Sequence, residues 1–275
     1  MKPSEFTYTR TATLEDAISS FASSAAGRVI AGGQSLGPML NLRLAEPKLL
    51  VDVSRLAELR RATIEGDVLA IGACVTHAQI EDGEVADVTR GLMPFVARGI
   101  AYRAVRNRGT IGGSIAHADP AADWLTTTIA LDASIRLSGA AGQREIKISD
   151  FVRGPLDTAI ADGEIITHVL VSRLSTGARW GHAKYAKKLG DFAQSMAVAV
   201  VDPERRVARI VLGQRAERPR LMQRTSEILA REGPTPPPAN LRTAIEADLR
   251  ETQIEPGDWT MHRAILDRAV RDLVA

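Results

Sequence analysis

The sequence predicts an α+β fold in two domains, and three observations carry that expectation. The chain has 275 residues, more than one compact domain of roughly 100–200 residues needs. Its strand-like runs cluster, with helices set apart from them, instead of alternating strictly as βαβ units. Two Gly-Gly pairs, Gly32–Gly33 and Gly112–Gly113, each follow an apolar run, so backbone must come unusually close to something at two strand-end loops.

Each element follows from local pattern. Thr13 followed by Asp16 reads as a helix start, with Leu14, Ala17, Ile18 and Phe21 on one face. The run "RVIAGG" reads as a strand ending on the first glycine pair, and "LLVDVS" as the next strand. "VLAIGACVT" is a strand, and "VTRGLMPFVARGIAYR" a helix burying Leu92, Phe95, Val96 and Ile100. "DPAADWLTTTIALDA" opens another helix with Pro120 in its first turn, where a missing N–H does no harm. Strands follow at "SIRLS", "REIKIS" and "EIITHVLVS". From near Leu174, "GHAKYAKKLGDFAQSMAVAVV" and "RRVARIVLGQ" read as antiparallel strands joined through Asp202-Pro203. A linker with four prolines, "REGPTPPPAN", separates two helices. The last helix starts at Asp258 as N-cap and buries Leu266, Ala269, Val270 and Leu273. The expected division is residues 1–173, in parts of about 1–55 and 56–173, and a smaller unit, 174–275.

Composition removes several functions. Hydrophobic residues make up 45% and charged residues 25%, with a net charge of +2. That balance lacks the concentrated basic face that nucleic acid requires. The densest basic stretch, Arg205 to Arg224, includes Glu217 and reads as a solvated or subunit-contacting face. The one cysteine, Cys74, allows no internal disulfide, iron–sulfur cluster or cysteine-based zinc site on this chain alone. No leader pattern opens the sequence and no apolar run approaches ~20 residues, so the expected location is the cytoplasm, with no membrane span.

The two glycine loops carry the chemistry. Each offers backbone N–H groups to an anion, and Ser35, Thr110 and Ser114 add hydroxyls. Gripping the two phosphates of a dinucleotide is one use; two plain turns are the other. The first loop lacks the Gly-Lys-Ser/Thr ending of a triphosphatase. Neither loop has the three-glycine spacing of a Rossmann fingerprint.

"AGGQSLGPMLNLRL" and "TIGGSIAHADPAAD", roughly 80 residues apart, resemble the two flavin-binding motifs of the FAD-binding middle subunit of molybdenum hydroxylases. That subunit occurs in carbon monoxide dehydrogenase and, fused into a longer chain, in xanthine dehydrogenase. The resemblance covers the whole length and implies a two-part flavin domain of the vanillyl-alcohol-oxidase/p-cresol-methylhydroxylase type, with a smaller C-terminal domain of antiparallel strands and helices. It implies noncovalent FAD held by Val29, Ile30, Ala31, Gly32, Gly33, Gln34, Ser35 and Leu36 on one side of the pyrophosphate. Thr110, Ile111, Gly112, Gly113 and Ser114 would hold the other side. Asp123 matches a carboxylate that accepts from cofactor hydroxyls, Ile100 an apolar contact at the adenine end, and Ile166 an apolar flavin contact. In "HAKYAKKLGDF", Lys184 matches a lysine near the flavin ring, and Phe192 is placed to lie over one ring face. Many members carry Asn where Ser114 stands, and position 34 varies.

Plainer readings stand beside these. Asp123 would cap a helix, Lys184 form a surface ion pair, Phe192 fill core, and His117 pack in its loop. His77 reads as a helix-start residue before a covalent flavin anchor, and Cys74 as inert packing. The resemblance also implies partners: a small subunit with two [2Fe-2S] clusters and a large subunit with a molybdenum cofactor, in a dimer of heterotrimers. The chain's own role would be electron transfer to an external acceptor, with no catalytic residue and no metal of its own. A self-contained FAD-dependent oxidase or reductase is the alternative, and a non-enzymatic nucleotide-binding protein a third. Carbon monoxide, a purine or an N-heteroaromatic remain open as the partner's substrate. NAD, oxygen, a quinone or a carrier protein remain open as acceptor.

Overall fold

In the computed structural model, which describes residues 2–274, β1 (Thr7–Arg10) leads into α1 (Leu14–Ala22). Thr13 caps that helix by accepting the Asp16 N–H at 3.1 Å, and Leu14 and Ala17 are buried with Ile18 and Phe21 packed beside them. There follow β2 (Gly27–Ile30), α2 (Leu36–Asn41) and β3 (Leu49–Asp52). The three strands are parallel in the order β1-β3-β2. All three therefore end on one edge, and the first glycine loop sits on that edge.

The second part begins with β4 (Ala62–Glu65) and β5 (Val68–Gly72). The run expected to continue as strand to Thr76 leaves the sheet at Gly72, where a Cβ would meet the Leu59 carbonyl oxygen at 2.3 Å. Thr76 then caps α3 (His77–Glu81) in a reciprocal box with Gln79. Next come α4 (Leu92–Arg98), α5 (Arg103–Arg106), α6 (Ile111–His117) and α7 (Asp123–Ala130). Then follow β6 (Ser134–Gly139), β7 (Gly142–Lys147), α8 (Ile148–Phe151), the small pair β8 (Val152–Gly154) and β9 (Asp157–Thr158), and β10 (Ile165–Ser172). The sheet order is β4-β5-β10-β6-β7, antiparallel throughout. Every residue of α7 is buried, its three threonines included. Thr127 and Thr128 return their hydroxyl protons to carbonyls one turn back, of Asp123 and Trp124, whereas the buried Thr126 hydroxyl, set against Gly213, has no partner among the described residues.

The last part holds β11 (Arg179–Tyr185), β12 (Ser195–Asp202), β13 (Val207–Gln214) and β14 (Arg220–Leu221), an antiparallel sheet in that order. The helices α9 (Gln223–Glu232), α10 (Pro238–Leu249) and α11 (Trp259–Arg271) cover one face. All of β12 is buried because both its faces are covered. Val198, Val200 and Val211 join the large core with α4, α6 and α7, whereas Ala197, Ala199 and Val201 pack toward the C-terminal helices. The change of sheet falls between β10 and β11, but the core runs across it.

Three expectations need correction. Phe95 is 47% exposed and rests on Trp180 with ring centroids 5.3 Å apart, because it lies on the face of α4 turned to β11. Asp258 occupies the N-cap position of α11, but its side chain makes no cap bond, since a 3-10 turn over Pro256–Asp258 already delivers the chain in helical conformation. The proline segment is not all linker: Pro238 is the first residue of α10. Among the described residues, no helix is long and apolar enough to cross a membrane.

Candidate functional site

The first glycine loop leaves β2 at Ile30 and enters α2 at Leu36. Gly33 has φ +70, a left-handed value that a β-carbon disfavours. Gln34 closes the loop by donating from Nε2 to the Gly32 carbonyl at 3.1 Å. Among the described residues, no acceptor is found for the N–H groups of Gly32, Gly33, Gln34 and Ser35. Consecutive free donors on a half-buried loop are what an anion needs. The residues fit a phosphate there.

The second loop is built differently. Ile111 donates to the Val75 carbonyl, Gly112 to Ala73, Ser114 to Thr110, and Gly113 to the Thr110 hydroxyl at 3.2 Å, which caps α6. These four N–H groups already have acceptors inside the chain, unlike those of the first loop. What remains is the Ser114 hydroxyl and the open Cα face of Gly113, which is exposed. Thr110 keeps its hydroxyl proton, but its oxygen already serves the cap.

Each pair divides its work. A Cβ on Gly32 would lie 2.0 Å from the Arg108 carbonyl oxygen, and one on Gly112 2.4 Å from the Ala73 Cβ. These first glycines weld chain to chain. The second glycines, Gly33 and Gly113, would meet only side-chain atoms, of Ile30 and Thr110. Neither has backbone packed against its Cα face.

His77 explains how the second loop keeps its place. It is the first residue of α3, as the plainer reading expected, and its N–H donates to the Gly109 carbonyl at 2.9 Å. Its Nδ1 accepts the Trp124 indole N–H at 3.0 Å, and its Nε2 edge lies against Gly109. Burial first, and Arg106 second, push its pKa down to about 4 from the ordinary 6.5. The unfolded chain therefore binds a proton that the native state refuses, so this contribution is complete above pH 6.5 and is lost as pH falls toward 4. From about pH 7 to pH 5 the loss is roughly 2 kcal/mol. His77→Gln keeps an acceptor for Trp124 but does not titrate. Urea midpoints at the two pH values should differ less in that variant than in the parent, and equal differences would count against this role.

Asp123 and Lys184 meet. Lys184 Nζ donates to both carboxylate oxygens, at 2.8 and 3.0 Å, across the join between α7 and β11. The side chains are 6% and 13% exposed, so this is neither a helix cap nor a surface pair. Burial raises the Asp123 pKa, and Lys184 only partly opposes it. The Asp123 carboxylate is thus committed to the lysine before any cofactor hydroxyl.

The other expected residues lie as follows. Arg106 holds the Ile100 and Ala101 carbonyls at 3.0 Å each, with Glu81 as its counter-ion, and Ile100 packs half-buried on the large core. Gly190, φ +83, presses its Cα face on Ala101, bringing the β11–β12 loop, with an exposed Phe192, beside Ile100. Ile166 is 5% exposed within the large core. Sequence reasoning missed His77, Trp124 and Arg108 as loop supports, since each acts through a partner distant in sequence. Cys74 is buried, donates to the Val53 carbonyl, and has its thiol pushed up to about 12. Among the described residues, no three metal-ligating side chains converge.

Free loop donors on the carboxyl edge of a parallel sheet make an anion-binding arrangement, the kind that holds the phosphates of a nucleotide cofactor. Residues 4–173 match the family described as the FAD binding domain in molybdopterin dehydrogenase. The chain belongs to that family, and its cofactor is FAD. It is 34% identical over 216 residues to the nicotine 6-hydroxylase medium subunit of Paenarthrobacter nicotinovorans, covering 78% of this chain and 76% of that one. It is 38% identical over 201 residues to the glyceraldehyde dehydrogenase medium chain of Sulfolobus acidocaldarius, covering 73% and 71%. Among solved structures, it resembles a chain of quinoline 2-oxidoreductase from Pseudomonas putida 86, with 31% identity, TM-score 0.87 and coverage of 99% and 98%. Carbon monoxide dehydrogenase from Hydrogenophaga pseudoflava matches with 27% identity, TM-score 0.92 and coverage of 100% and 99%. The chain is a flavoprotein oxidoreductase of the molybdenum hydroxylase family.

Proposed function

We propose that this chain is the FAD-carrying electron-transfer subunit of a molybdenum hydroxylase. It takes electrons from two [2Fe-2S] clusters on a small subunit and passes them to an external acceptor. The substrate is hydroxylated at a molybdenum cofactor on a large subunit, and the complex is a dimer of heterotrimers. The observation that carries this reading is the variety of its relatives. The medium subunit of a nicotine hydroxylase and the medium chain of a glyceraldehyde dehydrogenase are 34% and 38% identical to this one over 216 and 201 residues. A chain type kept while the substrate changes has its pocket for that substrate elsewhere.

FAD, when bound, supplies the redox chemistry, and the protein binds, orients and screens it. Here Gly33 to Ser35 would present donors to its phosphates, and Gly113 and Ser114 would line the other side. Lys184, paired with Asp123, and the exposed ring of Phe192 would be the side chains that attend the flavin. The Cys74 thiol takes no part, being protonated and buried.

The test is substrate-dependent flavin reduction. The purified chain alone, free of metals and other subunits, is expected to show none with the substrate of its complex, while dithionite reduces its flavin and air reoxidises it. Adding the two partner subunits should restore turnover. Rapid reduction by substrate in the isolated chain would overturn the reading in favour of a self-contained oxidase.

A further inference from the structure

We propose that the β11–β12 loop, together with Tyr102, is the docking surface for an acidic one-electron carrier protein that takes electrons from this chain. Leu189 in that loop is 92% exposed, and Tyr102, at the N-cap of α5, is 67% exposed. Gly190, φ +83, has its Cα face against the Ala101 carbonyl, where a Cβ would meet the oxygen at 2.7 Å. Leu189 and Tyr102 are the chain neighbours of those two contact residues, so one backbone contact gathers both large apolar side chains into one patch. The patch stands on a fixed base. Ala101 holds a left-handed φ of +43, uncommon for a residue with a Cβ. Arg106, with Glu81 as counter-ion, holds the Ile100 and Ala101 carbonyls at 3.0 Å each. Apolar groups fixed in this way bury area on docking with little ordering cost.

Charge decides the kind of partner. Lys187 and Lys188 precede Leu189; both are exposed, and neither has a side-chain hydrogen bond or ion pair among the described residues. Asp191 is the one carboxylate of the loop. On the Tyr102 side, Glu81 and Asp82 are taken by Arg103 and Arg106. The surplus is positive and complements a carboxylate-bearing surface. An anionic membrane is the poorer match, since basic segments that hold one carry clusters of about four to eight lysines and arginines. A permanent subunit is poorer too, because interface cores are depleted in lysine. Two free ammonium groups beside a small apolar patch suit a brief, electrostatically steered encounter. The carrier role rests on the flavin reading above, in which Phe192, in the same loop as Leu189, attends the cofactor; the docking surface does not rest on it. In the balanced step, two oxidised carrier molecules each take one electron in turn from one reduced FAD, whose two protons pass to water.

Plastocyanin, an acidic blue-copper protein, and cytochrome c, a basic haem protein, serve as one-electron probes of opposite charge. In a first arm, titration calorimetry follows oxidised plastocyanin binding to the full chain freed of FAD. Binding is expected to weaken as salt rises, and to weaken at least about tenfold in Lys187→Glu/Lys188→Glu and in Leu189→Ser/Tyr102→Ser. Lys48→Glu, a charge change elsewhere, should leave it unchanged, and cytochrome c should not bind. Should the Tyr102 change disturb α5, Leu189→Ser alone gives the same readout. In a second arm, the FAD-loaded chain, alone and within its complex, is reduced with dithionite and mixed with each oxidised probe. Reoxidation by plastocyanin should slow at least about tenfold in the same variants, with flavin content unchanged. Equal rates with both probes, unmoved by the variants, overturn the proposal. So does plastocyanin reactivity that the assembled complex lacks, which would make the patch a subunit interface. Binding to phosphatidylserine vesicles through the same lysines, with none to plastocyanin, overturns it as well. A chain that binds plastocyanin through these residues but never takes up FAD would instead sink the flavin reading and leave the docking surface standing.

Discussion

Gly32→Ala is expected to destabilise the chain by at least about 3 kcal/mol, the upper end for overpacking a dense interior, and to yield protein without flavin. The added Cβ would lie 2.0 Å from the Arg108 carbonyl oxygen and 2.7 Å from its carbon, and backbone atoms on both sides leave nothing to rotate away. Gly112→Ala should behave alike, against Ala73. Gly113→Ala is milder, since its Cβ meets the Thr110 Oγ1 at 2.8 Å, and the loss is about that of a cap bond, ~1 kcal/mol. Gly33→Ala has room, with Ile30 Cδ1 at 3.4 Å, but its φ of +70 adds roughly 1–2 kcal/mol of strain. Valine at 33 or 113 should leave a folded chain that no longer retains FAD. Urea midpoints and flavin stoichiometry across the series check this. Wild-type stability in Gly32→Ala would refute the weld, and full flavin content in both valine variants would refute the open faces.

That division of labour was only half legible in the sequence. Glycine pairs after apolar runs mark close approach, and the resemblance of both loops to a family's flavin motifs implied FAD. Nothing local says whether the close neighbour is a ligand or another part of the chain. The Gly32–Arg108 and Asp123–Lys184 contacts join positions far apart in sequence, and residue type alone does not encode such pairing. Thr127 and Thr128 in α7 read as polar because hydroxyls that bond back along their own helix look, in sequence, like hydroxyls facing water. The run from Ser195 to Asp202 was readable as a strand, yet only the second covering layer explains why its alternate residues enter two cores. Patterns that depend on one segment, such as the Thr13 cap and the Leu14–Ala17 face, could be read directly.

Asp123→Ala is expected to destabilise the chain by about 3–5 kcal/mol, because removing one member of a buried pair strands the other. Lys184 keeps 13% exposure, which favours the lower figure. Lys184→Met strands the carboxylate instead. Burial already raises the Asp123 pKa above 3.8, and removing the lysine removes the charge that opposes this. A carboxyl whose folded pKa lies above its unfolded one stabilises fully below the unfolded value and loses that contribution as pH rises through the folded value. The Lys184→Met chain should therefore lose stability as pH rises from mildly acidic to alkaline, opposite in sign to the acid loss from His77. The double variant Asp123→Leu/Lys184→Met removes both charges and should recover most of the stability, since an apolar replacement of a buried pair is often neutral or better. If the pair serves the cofactor as well as the fold, that stable double variant will still bind FAD roughly ten- to a hundredfold more weakly, the range for a charge-assisted hydrogen bond of about 1.5–3 kcal/mol. Recovered stability with unchanged FAD affinity would make Asp123 and Lys184 a structural clasp between α7 and β11 and remove both from the flavin site.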